Sequence, residues 1–162
     1  MNIFILDKMP EQAAKYSVDA HVRSGLIEVV SLLGFAYDDG KFEPWKWLRH
    51  SNRHFNHPAS RWTRDSRQNF SWALIHAYSL AEEFTYRFGK THKCLSYLDW
   101  ISHNLPLDNL RDFEQTPWPR CFGPFKEKLS DIPDTIFAYR EYYRIAKNHL
   151  IKYTKRERPE WL

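Results

Sequence analysis

The sequence predicts a mainly α-helical protein, a single domain over residues 1–162 that forms a bundle of about four helices. Three observations support this prediction: apolar residues recur at steps of three and four, helix start and stop residues bound those stretches, and only one short segment has strand character. A chain of this length can bury a sizeable core as one domain. A short N-terminal extended segment and a proline-rich covering loop complete the expected architecture.

The first elements are a short apolar segment and a helix. Residues 2–6 predict a buried strand or extended segment, and a helix is expected from Pro10 to about Phe35. Within this helix Asp19 and His21 are polar, and Gly25, one turn from His21, permits close approach of a ligand or a neighbour. The two polar residues are either core groups with internal partners or parts of a site, with Asp19 binding a ligand and His21 carrying a proton.

The longest predicted helix begins at Pro58 and stops at Gly89. One face of it is apolar, and a neighbouring stripe carries polar and aromatic residues at steps of three, four and seven. This stripe consists of Asp65, Asn69, Trp72, His76, Glu83 and Arg87.

Two interpretations of this stripe remain open. Glu83 and Arg87, four residues apart, form an ordinary surface ion pair if the stripe faces solvent. If it faces a cleft, Glu83 is a general base and His76 a proton carrier, while Asn69 and Arg87 bind the ligand. The predicted catalytic residues are therefore His21, His76 and Glu83.

A basic and aromatic segment precedes and overlaps the start of the long helix. Residues 49–67 contain five arginines and one acid, Asp65, and this excess of four equals the net charge of the chain, +4. Guanidinium groups bind phosphate and stack on planar rings, which predicts a surface for DNA or a nucleotide, although such a run also occurs on plain solvated faces. The predicted phosphate ligands here are Arg49, Arg53, His57, Arg61 and Arg64.

Metal binding and cofactors are not predicted. His50, His54 and His57 have helical spacing, but the neighbouring arginines repel a divalent cation and Pro58 interrupts the geometry. The two cysteines, Cys94 and Cys121, are too few for a zinc site or a disulfide framework, which favours a reducing intracellular compartment.

The remaining chain supplies two helices and a cover. A helix is expected over residues 92–103, and residues 105–133 hold five of the nine prolines, which predicts a loop that covers a site. The last helix begins near Asp134 and runs to about Tyr153. Three of its residues are predicted to bind the ligand: Arg140, Tyr143 and Lys147.

Charge and hydropathy limit the partners. No apolar run approaches the roughly 20 residues of a membrane helix, and the first residues lack the pattern of a signal peptide, so we expect a cytoplasmic protein with no membrane partner. The sequence pI of about 9.0 favours an anionic partner.

Several motifs resemble a family of small phage and bacterial proteins, most without an assigned function. The resemblance spans nearly the whole chain. It comprises the MNIFILD start, Asp19-x-His21-Val22, His57-Pro58 with Trp62, Asn69 and Trp72, the stretch from Glu83 to His92, and Ala138-Tyr139-Arg140-x-Tyr142-Tyr143 with Lys147 and Arg158-Pro159-x-Trp161.

A second resemblance is to the phage-type pyrimidine-dimer DNA glycosylases, which are small, basic and helical. It involves the N-terminal region through Asp19, His21 and Arg23, and the Arg158-Pro159-Glu160-Trp161 ending. In those enzymes an N-terminal amine attacks the sugar with the help of a glutamate on the first helix. Ser24 stands at about that position here, and Glu28 follows one turn later.

Three functional hypotheses follow. The first is a phage-type enzyme that acts on DNA or a nucleotide, in a glycosylase-like reaction on a base. The second is a non-catalytic factor that binds a nucleotide or nucleic acid, such as a counter-defence protein that sequesters a signalling nucleotide. The third is an interaction module whose arginines contact an acidic protein.

Overall fold

A computed structural model describes residues 1–37, 41–46, 54–111 and 114–162, with Trp45 described for its backbone only. The described residues form seven α-helices and no strand. The helices are α1 (Pro10–Tyr16), α2 (Asp19–Gly34), α3 (Pro58–Asp65), α4 (Arg67–Phe88), α5 (Leu95–His103), α6 (Lys126–Leu129) and α7 (Thr135–Ala146). The predicted helical class is confirmed, whereas about four helices is an undercount.

The first predicted helix is divided at Ser17. Both Ser17 and Val18 have extended backbone, with ψ angles of 135° and 156°, so α1 ends and α2 begins there. The break frees the Asp19 N–H, which donates to the Lys152 carbonyl at 2.9 Å. Apolar spacing continues across the break, and periodicity alone therefore does not reveal it.

The long predicted helix is divided at Ser66, which is extended at φ −143° and ψ 160°. The Ser66 hydroxyl caps α4 by accepting from the Asn69 N–H at 3.1 Å, and the Ser66 backbone pairs with Arg111 in an isolated parallel bridge. The predicted stop at Gly89 is confirmed, since Gly89 takes the left-handed conformation at φ 67°.

The last two segments also differ from the prediction. The final helix, α7, ends at Ala146 rather than near Tyr153, and a 3₁₀ turn, Asn148–Leu150, leads into the tail. The proline-rich segment contains the short helix α6 and packs against the body through Phe122, which is 1% exposed.

The N-terminal segment lies in the core as irregular chain, without a strand partner in the described residues. Residues Ile3, Ile5 and Leu6 are completely buried, and the Leu6 carbonyl accepts from Arg140 Nε at 2.9 Å. Helices α1 and α2 both pack on α4, so α4 is the central helix. The N-terminal segment is thereby held between the first helices and α7, where it forms one wall of a cleft.

Candidate functional site

A cleft of about 730 Å³ opens between the N-terminal segment, α2, the start of α3, residues 120–126 and the end of α7. These five parts of the chain are remote in sequence and meet only in the fold. Its polar groups stand on the walls, and its floor is aromatic. The cleft brings an amine, a carboxylate and aromatic rings together in one lining.

One wall carries an amine beside a carboxylate. The Met1 amino nitrogen lies 3.9 Å from Glu28 Oε2, and the Asn2 N–H donates to the same oxygen at 2.6 Å. Asn2 is anchored in turn, because its Nδ2 donates to the Cys121 carbonyl at 2.9 Å. Glu28 is therefore oriented toward the amine by the backbone next to it.

His21 forms part of the floor and is neutral. Its Nδ1 lies 2.6 Å from the Tyr143 hydroxyl, and its ring stacks on Phe4 at 4.2 Å between centroids with an interplanar angle of 13°. Burial lowers the pKa of His21 to about 3, and the positive charge of Lys147 contributes. Burial also raises the pKa of Tyr143 well above 10, so this hydroxyl stays protonated.

Aromatic rings extend the floor, and a lysine stands over them. Phe4 lies nearly parallel to Tyr142, with centroids 6.4 Å apart, and Phe122 lies 5.6 Å from Tyr142. The Lys147 ammonium is 5.3 Å from the Tyr142 centroid, and in the described chain it has no ion-pair partner. Phe4 and Tyr142 are each 8% exposed, so they offer a ligand a small apolar surface beside the positive charge of Lys147.

His57 adds an oriented imidazole at the start of α3. Its Nδ1 accepts from the Ala59 N–H at 3.3 Å as the helix cap, so in the neutral ring the proton is on Nε2. The pKa of His57 is lowered by burial, by the positive Met1 amine and by His54. A neutral N–H donor therefore stands close to the Met1–Glu28 pair.

The predicted catalytic residue His76 lies away from the cleft. It is 2% exposed, its Nδ1 is 3.0 Å from the Pro10 carbonyl oxygen, and its ring stacks on Trp72. Burial lowers the pKa of His76 to about 4. Of the two interpretations of the stripe, the cleft-facing one does not hold for His76, which occupies a core position with internal partners.

Glu83, Asp19 and Arg87 likewise face the interior, where they form a buried charge network. Arg87 donates from Nε to Glu83 at 2.9 Å and from Nη1 to Asp19 at 3.2 Å, and Arg156 donates to Glu83 at 2.6 Å. Burial alone would raise the pKa of Glu83, but Arg156 and Arg87 outweigh it and lower the pKa. For Asp19, hydrogen bonds from Thr154 and Arg87 likewise overcome burial. These groups join α2 and α4 to the tail, so the surface ion pair expected of Glu83 and Arg87 is also corrected.

Two other residues that were predicted to bind a ligand, Asn69 and Arg140, instead bond to groups within the protein. Asn69, with no exposed surface, donates from Nδ2 to the Trp62 carbonyl and to the Thr116 hydroxyl. Arg140 donates to Leu6 and forms an ion pair with Asp7 at 3.1 Å. Neither side chain lines the cleft.

The predicted arginines divide into two groups. Arg61 and Arg64 line a second cavity that shares Pro58 with the cleft, whereas Arg49 and Arg53 lie outside the described residues, as do Trp47 and His50. The fold therefore unites His21, His57 and Lys147 at the cleft, with Tyr143 behind His21.

Sequence reasoning missed the Met1–Glu28 pair as a site. The only signal was the glutamate expected on the first helix from the glycosylase resemblance, displaced by one turn to Glu28. Arg120 and Lys126 also line the cleft, although Arg120 donates mainly to carbonyl groups of its own segment, including Leu129 at 2.7 Å.

Metal-binding clusters and membrane-spanning helices are both absent from the described residues. They contain no group of three or more His, Cys, Asp or Glu side chains arranged to hold a metal ion. None of the helices in this part of the chain is long and apolar enough to cross a membrane.

Comparison with known proteins identifies no relative of this chain. No protein family model, curated protein or solved structure matches the chain.

Proposed function

We propose that this protein is an enzyme that acts on DNA in a glycosylase-like reaction on a base, with the cleft as its active site. One observation carries the proposal: the Met1 amine lies 3.9 Å from the Glu28 carboxylate, in a cleft with an aromatic floor. The resemblance to the pyrimidine-dimer DNA glycosylases supports it, because those enzymes use an N-terminal amine and a glutamate on the first helix.

An amine is a nucleophile only when it is neutral, and Glu28 supplies an acceptor for its proton. A small movement of the Glu28 side chain closes the separation of 3.9 Å to hydrogen-bond distance. The bond from the Asn2 N–H keeps Glu28 in place for this transfer. Glu28 therefore acts as the general base, and Met1 as the nucleophile.

The proposed reaction forms a bond between the Met1 nitrogen and C1′ of the sugar. The bond from C1′ to the base breaks, and its electron pair leaves with the base, which takes up a proton. The C1′–O4′ bond then opens to an iminium ion and O4′ gains a proton. Water adds to C1′ of the iminium ion, which releases the amine and leaves an abasic sugar, so no oxidant or reductant is consumed.

The floor and the cations suit an extruded nucleotide. A base taken out of the duplex loses its stacking, and the apolar lining that includes Phe4 and Tyr142 replaces part of that contact. Lys147 and Lys126 supply positive charge for the flanking phosphates, and the neutral His57 offers an N–H to the base. In this proposal each of these groups contacts either the base or a phosphate of the bound nucleotide.

Trapping of the covalent intermediate tests the proposal. The protein, with its free Met1 amine verified by intact mass, is incubated with duplexes that each contain one modified base or an abasic site, in the presence of borohydride. We expect a reduced cross-link that peptide mapping places on Met1. A Glu28→Gln variant should bind the same duplexes but lose at least tenfold in base release, whereas the exposed Glu82→Gln control should keep wild-type activity.

One result would overturn the role of Met1, and another would overturn the enzyme proposal itself. Cross-links only on Lys147 would remove the amine from its assigned role. Binding of DNA or a nucleotide without base release or trapping on any substrate would favour the alternative, a non-catalytic nucleotide- or nucleic-acid-binding factor, for which the aromatic floor and Lys147 suffice.

A further inference from the structure

A second cavity, of about 740 Å³, lies beside the cleft. It is bordered by α3, by Asn109 and Arg111, and by residues 116–119. Pro58, at the start of α3, lines both the cleft and this cavity, so the two are neighbours along one short helix. A polymer bound in the cleft therefore meets the second cavity within a short distance.

The charge of the second cavity is positive. Arg61 is exposed, and among the described residues its guanidinium has no hydrogen-bond or ion-pair partner. Arg64 lies over the Phe55 ring at 3.9 Å, which fixes its direction. Arg111, 81% exposed, is paired with Asp65. The lining of this cavity thus carries three guanidinium groups and only one carboxylate, Asp65.

The walls of the cavity are held rigidly. Asn69 Nδ2 donates to the Trp62 carbonyl at 2.8 Å and to the Thr116 hydroxyl at 2.6 Å, and the Thr116 N–H returns a bond to Asn69 Oδ1 at 3.1 Å. Trp62 Nε1 also donates to the Thr116 carbonyl. Residues 116–119 are therefore fastened to α3, and the cavity persists without a ligand.

Positive charge continues from the cleft into the second cavity and decreases beyond it. The linings of the cleft and the second cavity together carry seven cationic groups and two carboxylates, Glu28 and Asp65. The seven are the Met1 amine, Arg61, Arg64, Arg111, Arg120, Lys126 and Lys147. The next hollow along the surface adds Glu114 beside Asp65, with Arg111 as its only cation among the described residues.

We propose that the second cavity binds backbone phosphates of the same DNA whose base enters the cleft, with Arg61 and Arg111 as phosphate ligands. This inference rests on the proposed function. It adds Arg111 to the arginines that the sequence predicted as phosphate ligands. A phosphate oxygen replaces Asp65 at the Arg111 guanidinium, and it meets Arg61 without displacing any partner in the described chain. The acid-bearing hollow beyond Arg111 marks the end of the bound strand.

The test measures affinity for a duplex that carries one tetrahydrofuran abasic analogue, at several salt concentrations. Each phosphate contact contributes about 0.9 to the slope of log affinity against log salt. We expect Arg61→Ala and Arg111→Ala each to reduce that slope by about one and to weaken binding roughly tenfold at 0.1 M salt. Lys90→Ala, an equal charge change at an exposed site away from both cavities, should leave slope and affinity unchanged.

The outcomes separate this inference from the proposed function. Wild-type affinity and slope in both arginine variants, with trapping on Met1 intact, would overturn the second site and leave the enzyme proposal standing. Equal losses in Lys90→Ala would also overturn it, because the effect would then be one of net charge. Failure of the wild-type protein to bind any duplex would overturn both. Thermal unfolding of each variant verifies that the fold is retained.

Discussion

His21 and Tyr143 are joined by a hydrogen bond of 2.6 Å between Nδ1 and the phenolic oxygen, in the floor of the cleft. The bond links α2 to α7, and both groups are buried. Because His21 otherwise packs on the Phe4 ring, this contact sets the orientation of the imidazole. His21 is thus fixed by a residue that does not itself line the cleft.

Replacement of Tyr143 by Phe tests this contact. The ring and its packing remain, but His21 Nδ1 loses its partner while buried, so unfolding free energy should fall by about 1–3 kcal/mol in denaturant titrations. Tyr86→Phe serves as the control, since its hydroxyl is exposed and donates to the Lys155 carbonyl; we expect a change below about 0.5 kcal/mol. Equal effects of the two variants would contradict the assigned role of Tyr143.

Stability should decrease as the pH falls from about 6.5 toward 4. His21 has a pKa of about 3 and His76 of about 4 in the folded protein, against 6.5 for an ordinary histidine. The unfolded chain therefore binds protons in this window that the folded protein does not, and each histidine contributes about 1.4 kcal/mol per pH unit. Denaturant titrations at several pH values measure the slope, and His76→Phe should reduce it by about one histidine's share. An unchanged slope in that variant would contradict the prediction.

Removal of Arg87 should be strongly destabilising. Its side chain has no exposed surface and neutralises both Asp19 and Glu83, so Arg87→Met leaves two buried carboxylates with fewer partners. We expect a loss of about 3–5 kcal/mol in urea unfolding. The control is Arg144→Met, which breaks the exposed pair with Glu141 and should cost less than about 1 kcal/mol. A loss no larger than in the control would show that the network contributes little.

The substitution Glu83→Gln distinguishes a structural from a catalytic carboxylate. Glu83 accepts from Arg87 and Arg156, so the variant should lower the unfolding temperature. Base release per folded molecule, measured below that temperature, should match the wild type. Selective loss of turnover with an unchanged unfolding temperature would restore the catalytic role that the sequence suggested.

The sequence predicted the helical class and several ends of helices, but not the breaks within them. Gly89 and Asp134 were recognised because a left-handed glycine and a side-chain cap are local chemistry. Ser17 and Ser66 were missed because the apolar pattern on either side continues in phase. Their positions depend on partners far along the chain, the Lys152 carbonyl and Arg111.

The composition of the site was less predictable than the fold. Periodicity indicated that His76 and Glu83 share a stripe, but which face of α4 is covered depends on how α1, α2 and the tail pack against it. His21, Lys147 and His57 meet because three separate segments converge. The Met1–Glu28 pair joins residues on two elements 27 positions apart, and no spacing rule covers such a contact.

The order in which the chain leaves the ribosome matters for this architecture. The buried segment that contains Leu6 is synthesised before α7, yet Arg140, which binds its carbonyl, lies 134 residues later. Tyr142, Tyr143 and Lys147 also belong to this late part of the chain. A nascent chain without α7 consequently has no complete cleft and exposes its first apolar residues, so it depends on chaperones or rapid completion of synthesis for protection from aggregation.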